Sequence, residues 1–100
     1  MQLGGDTSSK LHYARGLSYI SLKSYEDAIK DFSGALELNP NYTQALNNRG
    51  FAFARIGNHE SAILDFNDAL ELNPKSFNSY YNRGLSKAGL GNHSDAVMDY

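Results

Sequence analysis

Apolar and polar positions follow a helical period in one stretch after another. "HESAILDFNDALEL" carries Ala62, Ile63, Phe66, Ala69 and Leu70, which fall on one side of a helix at i, i+4 and i+7 spacing. Ahead of it, "TQALNNRGFAFARIG" places Ala45, Leu46, Phe53 and Ile56 near the same spacing. Gly57-Asn58 breaks the pattern between the two, and Gly91-Asn92 breaks it again later. Asn73-Pro74 ends the second stretch, because the residue before a proline is pushed out of the α region. The pattern predicts helices in pairs joined by tight turns. The turn of the first pair, "LKSYE", has no glycine, so its boundary is fainter.

The pairs repeat. "DFSGALELNP" (31–40) returns as "DFNDALELNP" (65–74), and Pro40 and Pro74 stand 34 residues apart. The same offset links Arg15, Arg49 and Arg83; Gly16, Gly50 and Gly84; Ala28, Ala62 and Ala96; and Phe32, Phe66 and Tyr100. Several residue types in one frame mean stacked supersecondary units. Glycine inside a helix costs roughly 1 kcal/mol against alanine, so a glycine held in register predicts a close approach of backbones. An antiparallel hairpin would bring Gly16 level with Ala28.

These residues resemble the tetratricopeptide repeat, whose 34-residue pattern is W-x2-L-G-x2-Y, then A-x3-F, then P. The chain has Gly16-x2-Tyr19, Ala28-x3-Phe32 and Pro40; then Leu46, Gly50-x2-Phe53, Ala62-x3-Phe66 and Pro74; then Tyr80, Gly84 and Ala96-x3-Tyr100. The resemblance implies an all-α fold, an α-solenoid of antiparallel helix pairs in a right-handed superhelix. It covers residues 9–100 after an N-terminal extension (1–8), with repeats at 9–42, 43–76 and 77–100, the last one truncated. The chain departs from the pattern at His12, Leu46 and Tyr80, where tryptophan is usual, and at Lys87, where an aromatic is expected. Arg15, Arg49 and Arg83 replace the leucine before the glycine, and each has an aspartate sixteen residues on: Asp31, Asp65 and Asp99. A repeated cation with a repeated anion predicts ion pairs that serve the fold.

Composition narrows the function. The 100 residues are 41% hydrophobic with a net charge of −2, a poor match for a nucleic-acid binder, which needs a basic face. No apolar run approaches the roughly 18 residues of a membrane span, and no signal-peptide layout opens the chain, so a cytoplasmic location is expected by default. The absence of cysteine removes disulfides and thiolate metal sites. No nucleophile elbow, phosphate loop or metal-ligand spacing occurs, and no catalytic residue, metal or cofactor is expected. His59 and His93 lie one repeat apart, and stacked helices stand about 8–10 Å from each other, too far to share a metal.

Stacked helix pairs use extended concave surfaces. The resemblance implies that the first helix of each pair lines that side. The first repeat then gives Lys10, Tyr13, Ala14 and Leu17. The second gives Gln44, Asn47, Asn48, Phe51 and Arg55, and the third Asn78, Tyr81, Asn82 and Leu85. Asparagine can hold a peptide backbone through one acceptor and two donors. Asn48 and Asn82 form a ladder of the sort that O-linked N-acetylglucosamine transferases use for extended peptides. A family variant that captures C-terminal carboxylates wants cations where this chain has Tyr13, Asn78 and Asn82, and asparagine where it has Leu17; only Asn48 agrees. A clamp without cations has little to attract a carboxylate.

The expected function is therefore a non-catalytic scaffold that binds an extended peptide or partner helix. The alternatives are a substrate-presenting segment of a larger enzyme and a self-associating structural module. The third repeat stops within its second helix. That predicts a piece of a longer array, whose apolar end (Val97, Met98 and Tyr100) would support a homo-oligomer.

Overall fold

The computed structural model describes residues 3–91, with side chains from Thr7 onward. Five helices follow one another: α1 (Leu3–Ser21), α2 (Tyr25–Leu38), α3 (Thr43–Arg55), α4 (His59–Leu72) and α5 (Phe77–Gly89). No strand occurs among the described residues. Helix α1 starts inside the stretch expected to be an extension, so residues 3–8 continue the first helix.

The breaks fall where the residues dictate. Asn58 accepts a hydrogen bond from the Ser61 backbone N–H at 3.2 Å and Ser76 accepts one from Ser79 at 3.3 Å, each occupying a donor left free at a helix start. Asn39 and Asn73 close α2 and α4, each just before its proline. Gly57 and Gly91 adopt left-handed backbone, with φ of 86° and 85°. Lys23, which holds the same register in the first repeat, adopts it too, with φ of 60°. The glycine-free turn therefore has the same shape as the other two.

Each helix packs on the next, and thinner contacts join α1 to α3 and α3 to α5. The core runs between the layers: Ala28, Phe32, Ala35, Leu36, Ala45, Leu46 and Ala69 are buried together, with Tyr13, Tyr19, Ile20 and Tyr42 packed against them. Ala62, Phe66 and Leu70 are buried as the helical spacing predicts, whereas Ile56 caps α3 and is exposed.

At two of the repeated glycines the paired helix approaches closely, and what it brings there is an aromatic ring. A Cβ on Gly16 would lie 2.5 Å from Cε1 of Phe32, and one on Gly50 would lie 2.6 Å from Cε1 of Phe66. Both rings are fully buried. Each glycine makes room for an aromatic edge.

The arginines do pair. Arg15 donates from Nε to both oxygens of Asp31, at 3.0 and 2.9 Å, and from Nη2 to Oδ1 at 2.7 Å. Arg49 donates from Nε to Oδ2 of Asp65 at 2.8 Å and from Nη2 to Oδ1 at 2.7 Å. Each binds across its own hairpin in a two-point geometry that lysine could not reproduce. Asp99, the counterpart for Arg83, lies outside the described residues. So do Val97, Met98 and Tyr100, the expected self-association end, and His93.

Candidate functional site

Two adjoining hollows open between α3 and α5, with Ile20 near the end of α1 beside them. One, of about 420 Å³, is lined by Ile20, Gln44, Asn47, Asn48, Phe51, Asn78 and Asn82. The other, of about 180 Å³, is lined by Phe51, Ala54, Arg55, His59, Phe66, Asn82, Leu85 and Ser86. Phe51 and Asn82 belong to both. Eight of the residues expected in the groove therefore meet: Gln44, Asn47, Asn48, Phe51, Arg55, Asn78, Asn82 and Leu85.

The others do not line these hollows. Leu17 and Tyr81 are part-exposed, and Lys10 is exposed. Tyr13 is half-buried, its ring 4.9 Å from that of Tyr42 and 5.8 Å from that of Phe32. Burial, with Tyr42 beside it, raises the affinity of its hydroxyl for the proton against the pull of the Asn48 hydrogen bond. Ala14 lines a separate hollow of about 600 Å³ on the outer side of α1, with Ser8, Leu11, His12, Arg15 and Ser18.

The two asparagines of the ladder are not equivalent. Asn48 donates from Nδ2 to the Gln44 carbonyl at 2.8 Å and to the Tyr13 hydroxyl at 3.1 Å. Both of its donors are thus committed inside the protein, and only its oxygen is left for a ligand. The Asn82 side chain makes no hydrogen bond among the described residues and keeps its whole amide. Asn47 is half committed, since its oxygen accepts from the Ser79 hydroxyl at 2.6 Å, a bond that ties α5 to α3 across the groove.

The smaller hollow is mostly apolar. Phe51 meets Tyr25 edge-on at 6.3 Å, and the Arg55 guanidinium sits 5.6 Å from the centre of the Tyr25 ring, at the margin. Arg55 is the one arginine or lysine lining either hollow among the described residues, and no carboxylate lines them. His59 stands at the start of α4, as expected, but packs more deeply than a surface histidine. Its Nδ1 is buried without a partner among the described residues, and Nε2 lies 2.6 Å from where a Cβ on Gly89 would stand. Ile20, Ala54, His59, Phe66 and Ser86 also line the hollows and were not among the residues expected there. For Ile20 and Ala54 a signal existed, because they stand one repeat apart and each borders a hollow. Among the described residues no cluster of three or more His, Asp or Glu is arranged to hold a metal, and no helix is long and apolar enough to cross a membrane.

Comparisons with known proteins agree with this architecture. A family model described as TPR repeat matches residues 16–57, and one described as tetratricopeptide repeat matches residues 43–76. A search of curated proteins finds no match. Among solved structures, the Arabidopsis OM64 TPR domain aligns with a TM-score of 0.93 at 22% identity, over 95% of this chain and 78% of that one. The first TPR of Spaghetti (RPAP3), bound to HSP90 peptide SRMEEVD, aligns at 0.91 and 24% identity, over 95% and 75%. The Sgt2 TPR domain from Aspergillus fumigatus aligns at 0.88 and 27% identity, over 92% and 61%. With the two family models together spanning residues 16–76 and the helix pairs in the same frame, the chain belongs to the tetratricopeptide repeat family.

Proposed function

We propose that the groove between α3 and α5 binds an extended peptide segment of a partner protein, holding its backbone with Asn82 and Asn48 and one apolar side chain in the smaller hollow. Family membership indicates a protein–protein interaction module, and domains of this kind are in general non-catalytic. The observation that carries the finer reading is the amide-lined hollow that joins an apolar one at Phe51 and Asn82. Asn82 can donate to a peptide carbonyl and accept from a peptide N–H at once, while Asn48 can only accept. A volume of about 180 Å³ admits a side chain of leucine or phenylalanine size, since an apolar cavity of about 150 Å³ holds benzene.

The RPAP3 likeness supports a peptide as the kind of ligand, that domain being bound to a peptide in its solved structure. An acidic peptide such as SRMEEVD would find a single lining cation here, Arg55, so the ligand chemistry favoured is neutral and amphipathic. The test is selection of peptides from a random library on the immobilised full chain, with each selected peptide mapped by amide NMR shifts. Shifts at Phe51, Asn82 and Leu85 are expected. Selection of peptides defined by a free C-terminal carboxylate, or shifts elsewhere, would overturn the proposal.

A further inference from the structure

Two buried polar side-chain atoms have no hydrogen-bond partner among the described residues: Nδ1 of His59 and Oγ of Ser86. Both residues stand in the wall of one hollow, the smaller one of about 180 Å³. Native proteins leave few such groups unpaired, because a buried donor or acceptor without a partner costs free energy. Two of them in one wall mark a place that wants a hydrogen-bonding group. Ser86 is fully buried, and its hydroxyl does not bond the Asn82 carbonyl one turn earlier in α5, the usual acceptor for a helical serine.

The preceding repeat shows the same place filled. His59, Ser86 and Gly89 hold the registers of Tyr25, Ala52 and Arg55. There the phenol ring of Tyr25 meets Phe51 edge-on at 6.3 Å and lies under the Arg55 guanidinium at 5.6 Å. Ala52 is fully buried and has no polar side-chain atom to satisfy. Tyr25 and Ala52 border neither of the two hollows. One repeat later a smaller imidazole stands for the phenol and lies against Gly89, which has no side chain to hold it elsewhere. Serine stands for alanine. The exchanges remove bulk on balance and make the wall polar.

We propose that the smaller hollow selects a tyrosine side chain of the bound peptide, its phenol O–H donating to Nδ1 of His59 and its oxygen accepting from the Ser86 hydroxyl. This rests on the reading of the groove as a peptide site. An apolar cavity of about 150 Å³ holds one benzene ring, so a hollow of this size takes a single side chain, and that side chain has to serve both atoms. A hydroxyl donates and accepts at one oxygen. Phenylalanine or leucine would leave both atoms unpaired, a carboxylate could only accept, and threonine would leave the space half empty. Phe51, Phe66 and Leu85 give the ring its apolar surroundings. His59 carries its ring proton on Nε2 in this arrangement, which leaves Nδ1 as the acceptor.

The test uses the full chain and two probes that isolate the side chain: p-cresol for tyrosine and toluene for phenylalanine. Each is titrated by NMR of the amides and of the histidine ring nitrogens. p-Cresol should shift Phe51, His59, Leu85 and Ser86, move the His59 Nδ1 resonance, and bind about tenfold more tightly than toluene, which makes neither hydrogen bond. Ser86→Ala, which restores the residue of the preceding repeat, should cut that preference several-fold while circular dichroism stays unchanged. His59→Tyr should occupy the hollow from within and abolish binding of both probes. Toluene binding as tightly as p-cresol, an unmoved Nδ1 resonance, or no shift at millimolar p-cresol overturns the proposal. The peptide reading fails separately. A library that yields no binder, with p-cresol seated as expected, ends that reading and leaves the hydroxyl preference standing. Selected peptides that seat a leucine or phenylalanine in the hollow overturn the preference and leave the reading standing.

Discussion

Lys23 and Gly57 stand one repeat apart and share a left-handed backbone, with φ of 60° and 86°. A side chain in that conformation costs roughly 1–2 kcal/mol, and glycine avoids the strain at some entropic cost in the unfolded chain. Lys23→Gly should therefore stabilise the protein by about 1 kcal/mol, raising the melting temperature by about 4–8 °C. Gly57→Lys should do the reverse. Thermal unfolding by circular dichroism checks both, and a fall on Lys23→Gly would contradict the shared turn geometry.

Gly50 faces the ring of Phe66 so closely that an added Cβ would stand 2.6 Å from it. Alanine gains roughly 1 kcal/mol of helix propensity, whereas overpacking a filled core costs typically 1–3 kcal/mol. Phe66 is fully buried and cannot swing clear, so the second effect should win. Gly50→Ala should lower the stability to urea, and Gly50→Ala combined with Phe66→Leu should lose less than the sum of the single changes.

Arg49 and Arg15 occupy the same register with different surroundings. Replacing Arg49 with alanine strands a buried Asp65 and removes the bond to Ser33. Breaking a buried pair in this way costs about 3–5 kcal/mol. Arg15→Ala should cost clearly less, because Arg15 is mostly in water and His12 Nδ1 stays within 3.3 Å of Asp31. Chemical denaturation of the two variants gives the order, and equal losses would contradict it.

The two aspartates should respond oppositely to acid. The Arg15 hydrogen bonds lead in holding Asp31 below its ordinary value of 3.8, with His12 helping. Stability from this group is present above the unfolded value and is lost as pH falls through the folded one. Burial leads in raising Asp65 above 3.8, against the pull of Arg49 and with Asp68 nearby. Its contribution is fullest below the unfolded value and is lost as pH rises through the folded one. The stability gap between the parent and Asp31→Asn should narrow toward low pH, while the gap for Asp65→Asn should widen. Denaturation series from pH 6 to pH 3 measure both slopes.

What could be read from the sequence followed from what repeats. Helix pairs, turn positions and the Arg–Asp offset all recur in one frame, and recurrence fixes register without coordinates. The backward bonds of Arg49 and Arg83 escaped notice because their acceptors, Ser33 and Asn67, share a place but not a residue type. That the Phe32 ring fills the space beside Gly16 was not legible, because distance from a turn does not give side-chain direction. Asn48 was credited with free donors because the Tyr13 hydroxyl that takes one lies 35 residues away. No local pattern announces such a partner.

The groove's role rests most heavily on Asn82, whose amide faces both hollows with nothing bonded to it among the described residues. The decisive measurement is the binding isotherm of one library-selected peptide on the parent chain, Asn82→Ala and Asn48→Ala, by titration calorimetry. A peptide hydrogen bond is worth about 0.5–1.5 kcal/mol. Loss of two bonds to the Asn82 amide should weaken binding about tenfold or more, with Asn48→Ala weakening it less. An unchanged dissociation constant for Asn82→Ala, with the variant folded, would contradict peptide capture in this groove.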